Sequence, residues 1–215
     1  MKKDLTELVF ILDKSGSMNG LEKDTIGGYN SLIKKQKNEK GEALVTTVLF
    51  STETNCIVNR MDINKVKPLT SKEYFASGCT ALLDAVGETI TSIKREQEKL
   101  KENEKPEKTI VVITTDGLEN ASREYSYDKV KELISSLKEK ENWEFLFLGA
   151  NIDVAKEANK IGINSDFAAK YDCNEEGIDE SFSCVCETLS LARKEKRIPK
   201  FWKKKLLKTK WYEIF

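Results

Sequence analysis

Two short apolar runs, Leu8-Val9-Phe10-Ile11-Leu12 and Thr109-Ile110-Val111-Val112-Ile113-Thr114, constrain the fold of this chain more than any other feature. Both are rich in β-formers, and neither shows the alternation of a strand with one wet face. Both break abruptly into polar residues. Runs of this kind are central strands buried on both sides, with the polar residues forming the loops at their carboxyl ends. Apolar residues at helical spacing occupy the stretches around them. Ile26, Tyr29, Leu32 and Ile33 mark a helix over 24–38, and Leu82, Ala85, Val86, Ile90, Ile93 and Leu100 one over 80–100. Val130, Leu133, Ile134 and Leu137 mark a third over 127–140, and Ile178, Phe182, Val185 and Leu189 a last one over 178–192. Strands alternating with helices predict a doubly wound α/β domain, with a mostly parallel central sheet covered on both faces.

Shorter elements complete the pattern. Residues 43–51 and 56–60 read as strands joined by Thr52-Glu53-Thr54-Asn55. A connection this short can only be a hairpin, so the sheet gains one antiparallel strand, placed at its edge. Residues 61–80 read as loop with one helical turn at Lys72–Phe75. A strand at 144–148, a short helix at 154–160 stopped by Gly162, and an edge strand at 166–169 follow.

In open α/β sheets, ligands bind at the carboxyl ends of the strands. There Asp13, Ser15 and Ser17 stand at alternate positions, so an extended turn can bring their oxygens to one side, with Gly16 relieving the backbone between the serines. One carboxylate and two hydroxyls are hard donors suited to a small hard cation such as Mg²⁺. The competing reading is a turn and a helix N-cap, which favour the same residues. Two other loops reach the same sheet edge. Ser77-Gly78-Cys79-Thr80 precedes the long helix and adds a hydroxyl at its N-terminus, and Asp116-Gly117 follows the strand at 109–114 and adds a second carboxylate.

The succession DKSGSM, SGCTALLDAV and TTDGLEN resembles the von Willebrand factor type A (VWA) domain, over about residues 5–192. The resemblance implies a Rossmann-like VWA fold and an intact metal-ion-dependent adhesion site (MIDAS). Its metal-binding residues would be Asp13, Ser15, Ser17, Thr80 and Asp116, the hydroxyls approaching the metal and the aspartates acting largely through water and hydrogen bonds. It further implies an intracellular, single-domain member of bacterial type that is not an enzyme. Such a protein-binding module holds Mg²⁺, with Mn²⁺ or Ca²⁺ as alternatives, and completes the metal's shell with an Asp or Glu carboxylate from an unidentified protein partner. Glu119 and Asn120 could shape the site rim but are assigned to turn chemistry; Asp84 faces the helix's N-terminal turn or hydrogen-bonds locally rather than binding metal; and Cys79, a packed small residue or a site-adjacent thiol, is assigned to packing.

A rival function is a Mg²⁺-dependent phosphohydrolase with Asp13 as nucleophile. Such chemistry wants an acid two residues on, and this chain has Ser15 there. The absence of histidine excludes histidine triads, histidine bases and histidine-ligated zinc. Five cysteines without a CxxC pair read as free thiols of a reducing compartment. No signal-peptide core or 18-residue apolar span is present, which makes the expected location cytoplasmic.

Overall charge is balanced at 36 basic and 36 acidic residues, yet Arg193–Phe215 alone holds 10 Lys/Arg against 2 Glu. The predicted division is therefore a domain over 1–194 and a basic, aromatic tail over 195–215. Lysines interleaved with aromatics could touch nucleic acid or an acidic membrane. The preferred expectation is an arm that packs its aromatics on the acidic body.

Overall fold

The computed structural model describes residues 1–195, 197–199, 201–204 and 206. Its strands are β1 (Lys2–Asp13), β2 (Glu42–Phe50), β3 (Thr54–Asp62), β4 (Pro106–Thr115), β5 (Trp143–Gly149) and β6 (Ala168–Lys170). Its helices are α1 (Glu22–Gln36), α2 (Leu82–Glu98), α3 (Tyr127–Lys140), α4 (Val154–Lys160) and α5 (Glu175–Glu195). They build one six-stranded sheet in the order β3-β2-β1-β4-β5-β6. Only the β2–β3 pair is antiparallel. The doubly wound sheet with one antiparallel edge strand is thus the observed architecture.

The apolar runs are continuous because alternate residues enter different cores. Leu8, Phe10, Leu12, Ile110 and Val112 pack with α1 and α5 on one face. Val9, Ile11, Val111 and Ile113 pack with α2, α3 and α4 on the other. Helices α1 and α5 approach closely at Gly28, where a side chain would collide with the Phe182 ring. Among the described residues no helix is long and apolar enough to cross a membrane.

Three local expectations change. Strand β3 continues to Asp62, and the following helical turn falls at Ile63–Lys65, where the Asp62 carboxylate accepts from the Asn64 N–H at 2.9 Å. The single helical turn expected at Lys72–Phe75 lies slightly earlier, with the Tyr74 N–H donating to the Thr70 carbonyl at 3.0 Å. Strand β6 begins at Ala168, because Asn164 caps a turn over Ser165–Phe167 by accepting from the Asp166 N–H at 2.8 Å.

The connection after β1 runs to β2 on one side, while β4 lies on the other side of β1. Chain direction therefore diverges between β1 and β4, and a crevice opens beyond their carboxyl ends. The register pairs Leu12 with Thr114, which sets Asp13 beside Thr115 at that crevice.

Candidate functional site

All five predicted site residues stand around this crevice. Asp13, Ser15, Thr80 and Asp116 are buried, and Ser17 is exposed at the rim. The Asp13 carboxylate accepts from the Ser15 N–H at 2.7 Å through one oxygen and from the Thr115 hydroxyl at 2.6 Å through the other. Ser15 is extended, with φ −62° and ψ 169°. It precedes the tight turn Gly16–Met18 without capping it through its side chain. Its hydroxyl is thus left for the site, lying 3.1 Å from the Ser17 hydroxyl, and the N-cap reading of this stretch falls away. Ser17 donates to Asp116 Oδ1 at 2.6 Å. Gly16 matters by close approach. Its N–H donates to the Gly78 carbonyl at 3.0 Å, and a β-carbon there would sit 3.3 Å from that oxygen.

The third loop closes the ring. A β-carbon added at Gly117 would lie 3.5 Å from Thr80 Oγ1 and 3.6 Å from Ser17 Oγ, so both hydroxyls line the same small space. Thr80 is clamped by Asn120, whose side-chain oxygen accepts from the Thr80 N–H at 2.9 Å while its own N–H donates to the Thr80 carbonyl at 3.0 Å. Glu119 serves its own turn by accepting from the Ala121 and Ser122 N–H groups, and it also accepts from the Leu83 N–H at the start of α2. Both residues therefore do more than turn chemistry, since they tie the β4 loop to the α2 terminus. Asp84 hydrogen-bonds at long range, accepting from the N–H groups of Arg123, Glu124 and Tyr125.

Cys79 corrects the packing expectation. It is exposed, because the loop turns its side chain outward while its N–H donates to Thr52 Oγ1 at 2.9 Å. Three residues of the site were missed. Thr115 orients Asp13, and Tyr74 donates to the Asp13 carbonyl from below. The Cys173 thiol lies 3.9 Å from Asp116 Oδ2. Thr115 had a legible signal, since it sits at the polar end of a buried strand beside Asp116. Tyr74 and Cys173 had none, being separated from their partners by 61 and 57 residues.

Burial raises the Asp13 pKa, against the lowering hydrogen bonds from Thr115 and Ser15, and the neighbouring Asp116 raises it slightly further. Burial likewise raises the Asp116 pKa from its ordinary value, against the lowering hydrogen bond from Ser17. Among the described residues neither carboxylate joins an ion pair with Lys or Arg. Nor do three Cys, Asp or Glu side chains stand together as a metal cluster. The set is instead two carboxylates and three hydroxyls. These are hard neutral and anionic oxygens with a formal charge of about −2, a composition that suits a small divalent cation.

Fold and site together define a Rossmann-like α/β domain with an oxygen-donor cluster at its topological switch point. The chain belongs to the von Willebrand factor type A domain family, whose model matches residues 7–180. No curated protein sequence matches it. Among solved structures it is similar to proximal thread matrix protein 1 from the mussel byssus with a zinc-occupied MIDAS motif, at 17% identity and TM-score 0.59, over 86% of this chain and 46% of that one. It is also similar to a von Willebrand factor type A protein from Catenulispora acidiphila, at 16% identity and TM-score 0.59, over 87% and 43%. A third is the manganese-loaded TRAP protein of Plasmodium vivax, at 18% identity and TM-score 0.55, over 85% and 74%. At these identities the likeness is one of fold. The chain spans less than half the length of the first two proteins.

Proposed function

We propose that the protein is a metal-dependent protein-binding module that is not an enzyme. It holds Mg²⁺ through Ser15, Ser17 and Thr80, with Asp13 and Asp116 acting through water and hydrogen bonds. A carboxylate of a partner protein completes the metal's shell. The observation that carries this reading is the pair of buried carboxylates that join no ion pair with Lys or Arg among the described residues, facing three hydroxyls at a rim that opens at Ser17. Two anions so placed are costly without a counter-charge, and a dication supplies one. Because the ligating hydroxyls are neutral, the metal keeps positive character toward an incoming carboxylate. Metal and partner then strengthen each other's binding by the same factor. A mussel thread protein with zinc in its MIDAS motif and a manganese-loaded TRAP protein support divalent-metal use in this fold.

Both oxygens of Asp13 are engaged, and the residue is 1% exposed. That disfavours the phosphohydrolase reading, which needs a free carboxylate oxygen facing solvent. Calorimetry tests the proposal. Mg²⁺ and Mn²⁺ should bind wild type at one site and raise its Tm, and Ser15→Ala/Ser17→Ala should abolish both effects. Equal binding by wild type and the double variant would refute it.

A further inference from the structure

The rim of the site is unequal on its two sides. Of the six large hydrophobic side chains exposed among the described residues, two belong to the loops that form the site: Phe75 at 52% and Leu118 at 55%. Phe75 lies in the loop running beside β1, where Ser77 N–H donates to the Lys14 carbonyl at 2.8 Å and Gly16 N–H to the Gly78 carbonyl. Leu118 lies two residues beyond Asp116, next to the glycine that borders Ser17 and Thr80. The Lys14 ammonium sits 4.2 Å above the Phe75 ring and joins no ion pair among the described residues. Phe75 and Lys14 thus form one platform, an apolar ring edge beside a positive charge, adjacent to Asp13.

The opposite side differs. Cys173 marks where the β6–α5 connection reaches Asp116, and the exposed residues around it include Asp172, Glu175 and Glu176. An acidic segment bound at the site would be attracted by Lys14 and repelled by this edge, which favours a path toward Phe75. Exposed side chains of this size are ordinary when scattered. Two of them flanking a charged site, with a cation stacked on one that joins no ion pair among the described residues, are the makings of a selective rim.

We infer that the partner presents an extended acidic segment, whose metal-seeking carboxylate is flanked by large apolar side chains that pack on the Phe75–Lys14 platform and on Leu118. This rests on the carboxylate-binding reading above, and it adds what selects one carboxylate among many. A lone carboxylate reads only the metal, whereas two apolar contacts and one cation read its neighbours.

A random heptapeptide library displayed on phage, selected on the immobilised full chain in Mg²⁺ and eluted with EDTA, tests both layers. The expected sequences carry Asp or Glu with Leu, Ile, Phe or Trp within two positions. Synthetic peptides of those sequences, titrated by fluorescence anisotropy at saturating Mg²⁺, should lose about five- to tenfold in affinity for each of Phe75→Ala and Leu118→Ala. Acidic sequences without apolar enrichment, or unchanged affinity in the Phe75→Ala/Leu118→Ala double variant, overturn this inference and leave the metal–carboxylate reading standing. If no EDTA-eluted sequence carries an acidic residue, the carboxylate reading fails and this inference fails with it.

Discussion

Thr115 and Ser17 show how single side chains prepare this site. Each donates a hydroxyl at 2.6 Å to a carboxylate, Asp13 and Asp116 respectively, and so fixes its rotamer. Hydrogen bonds do not cancel the cost of burial, since both carboxylates keep raised pKa values. The sign follows from linkage. A carboxyl whose folded pKa exceeds its unfolded value of 3.8 favours the folded state when protonated, and that contribution is lost as pH rises through the folded pKa. Asp116→Asn should therefore match wild type at low pH in EDTA, exceed it increasingly as pH rises from 3.8 through the folded pKa, and hold that advantage above it. At neutral pH the gain should appear as a Tm above that of wild type. The same variant should lose the Mg²⁺-induced rise. Thermal melts across pH with and without Mg²⁺ measure both, and a variant less stable than wild type at neutral pH in EDTA would show that burial does not dominate at Asp116.

At the scale of elements, periodicity made most of the fold legible. Helix α3 and helix α4 have the boundaries expected from spacing, and β1 and β4 contain the runs that predicted them. The candidate site was legible because its five residues are short polar signals at strand ends and just before α2. What could not be read are pairings across distance within polar stretches. Strand β1 extends back through Lys2–Glu7, and Glu7 is fully buried. Its carboxylate accepts from Arg60 Nε at 2.7 Å, from Arg60 Nη2 at 3.0 Å and from Gln97 Nε2 at 2.9 Å. Arg60 reaches it from the edge strand with φ +45°, its N–H held by Thr46 Oγ1 where the β2–β3 register shifts. Nothing in the local sequence joins residues 53 apart. Breaking this pair leaves an uncompensated buried charge, so Arg60→Met should cost about 3–5 kcal/mol. Glu7→Gln combined with Arg60→Met should recover most of that loss. Urea denaturation checks both, and a midpoint unchanged in the single variant would mean that Glu7 does not depend on Arg60.

Over the whole molecule, the charge contrast between acidic body and basic tail was plain in the sequence, but the described part of the tail is anchored by other means. Ile198 and Trp202 are buried, and Leu206 packs against the same core as α1 and α5. The Ile198 N–H donates to the Glu144 carboxylate, which also pairs with the buried Lys108 at 3.2 Å. The Trp202 indole donates to the Asp166 carbonyl at 2.8 Å, and its own carbonyl accepts from the Cys184 thiol at 3.1 Å. Even Lys203 spends its ammonium on the carbonyls of Ser165 and Ala168. The aromatics Trp211, Tyr212 and Phe215 lie outside the described residues. Such anchoring is apolar burial plus backbone hydrogen bonding, so salt should not release it. Trp202→Ala should cost about 3 kcal/mol, a fall of about 6–12 °C in Tm, and the loss should be equal at low and high ionic strength. Phe201→Ala, at 69% exposure, should leave Tm within about 1 °C of wild type. A Trp202→Ala loss that shrinks in high salt would instead tie the tail to the body by charge, the contrast the composition suggested.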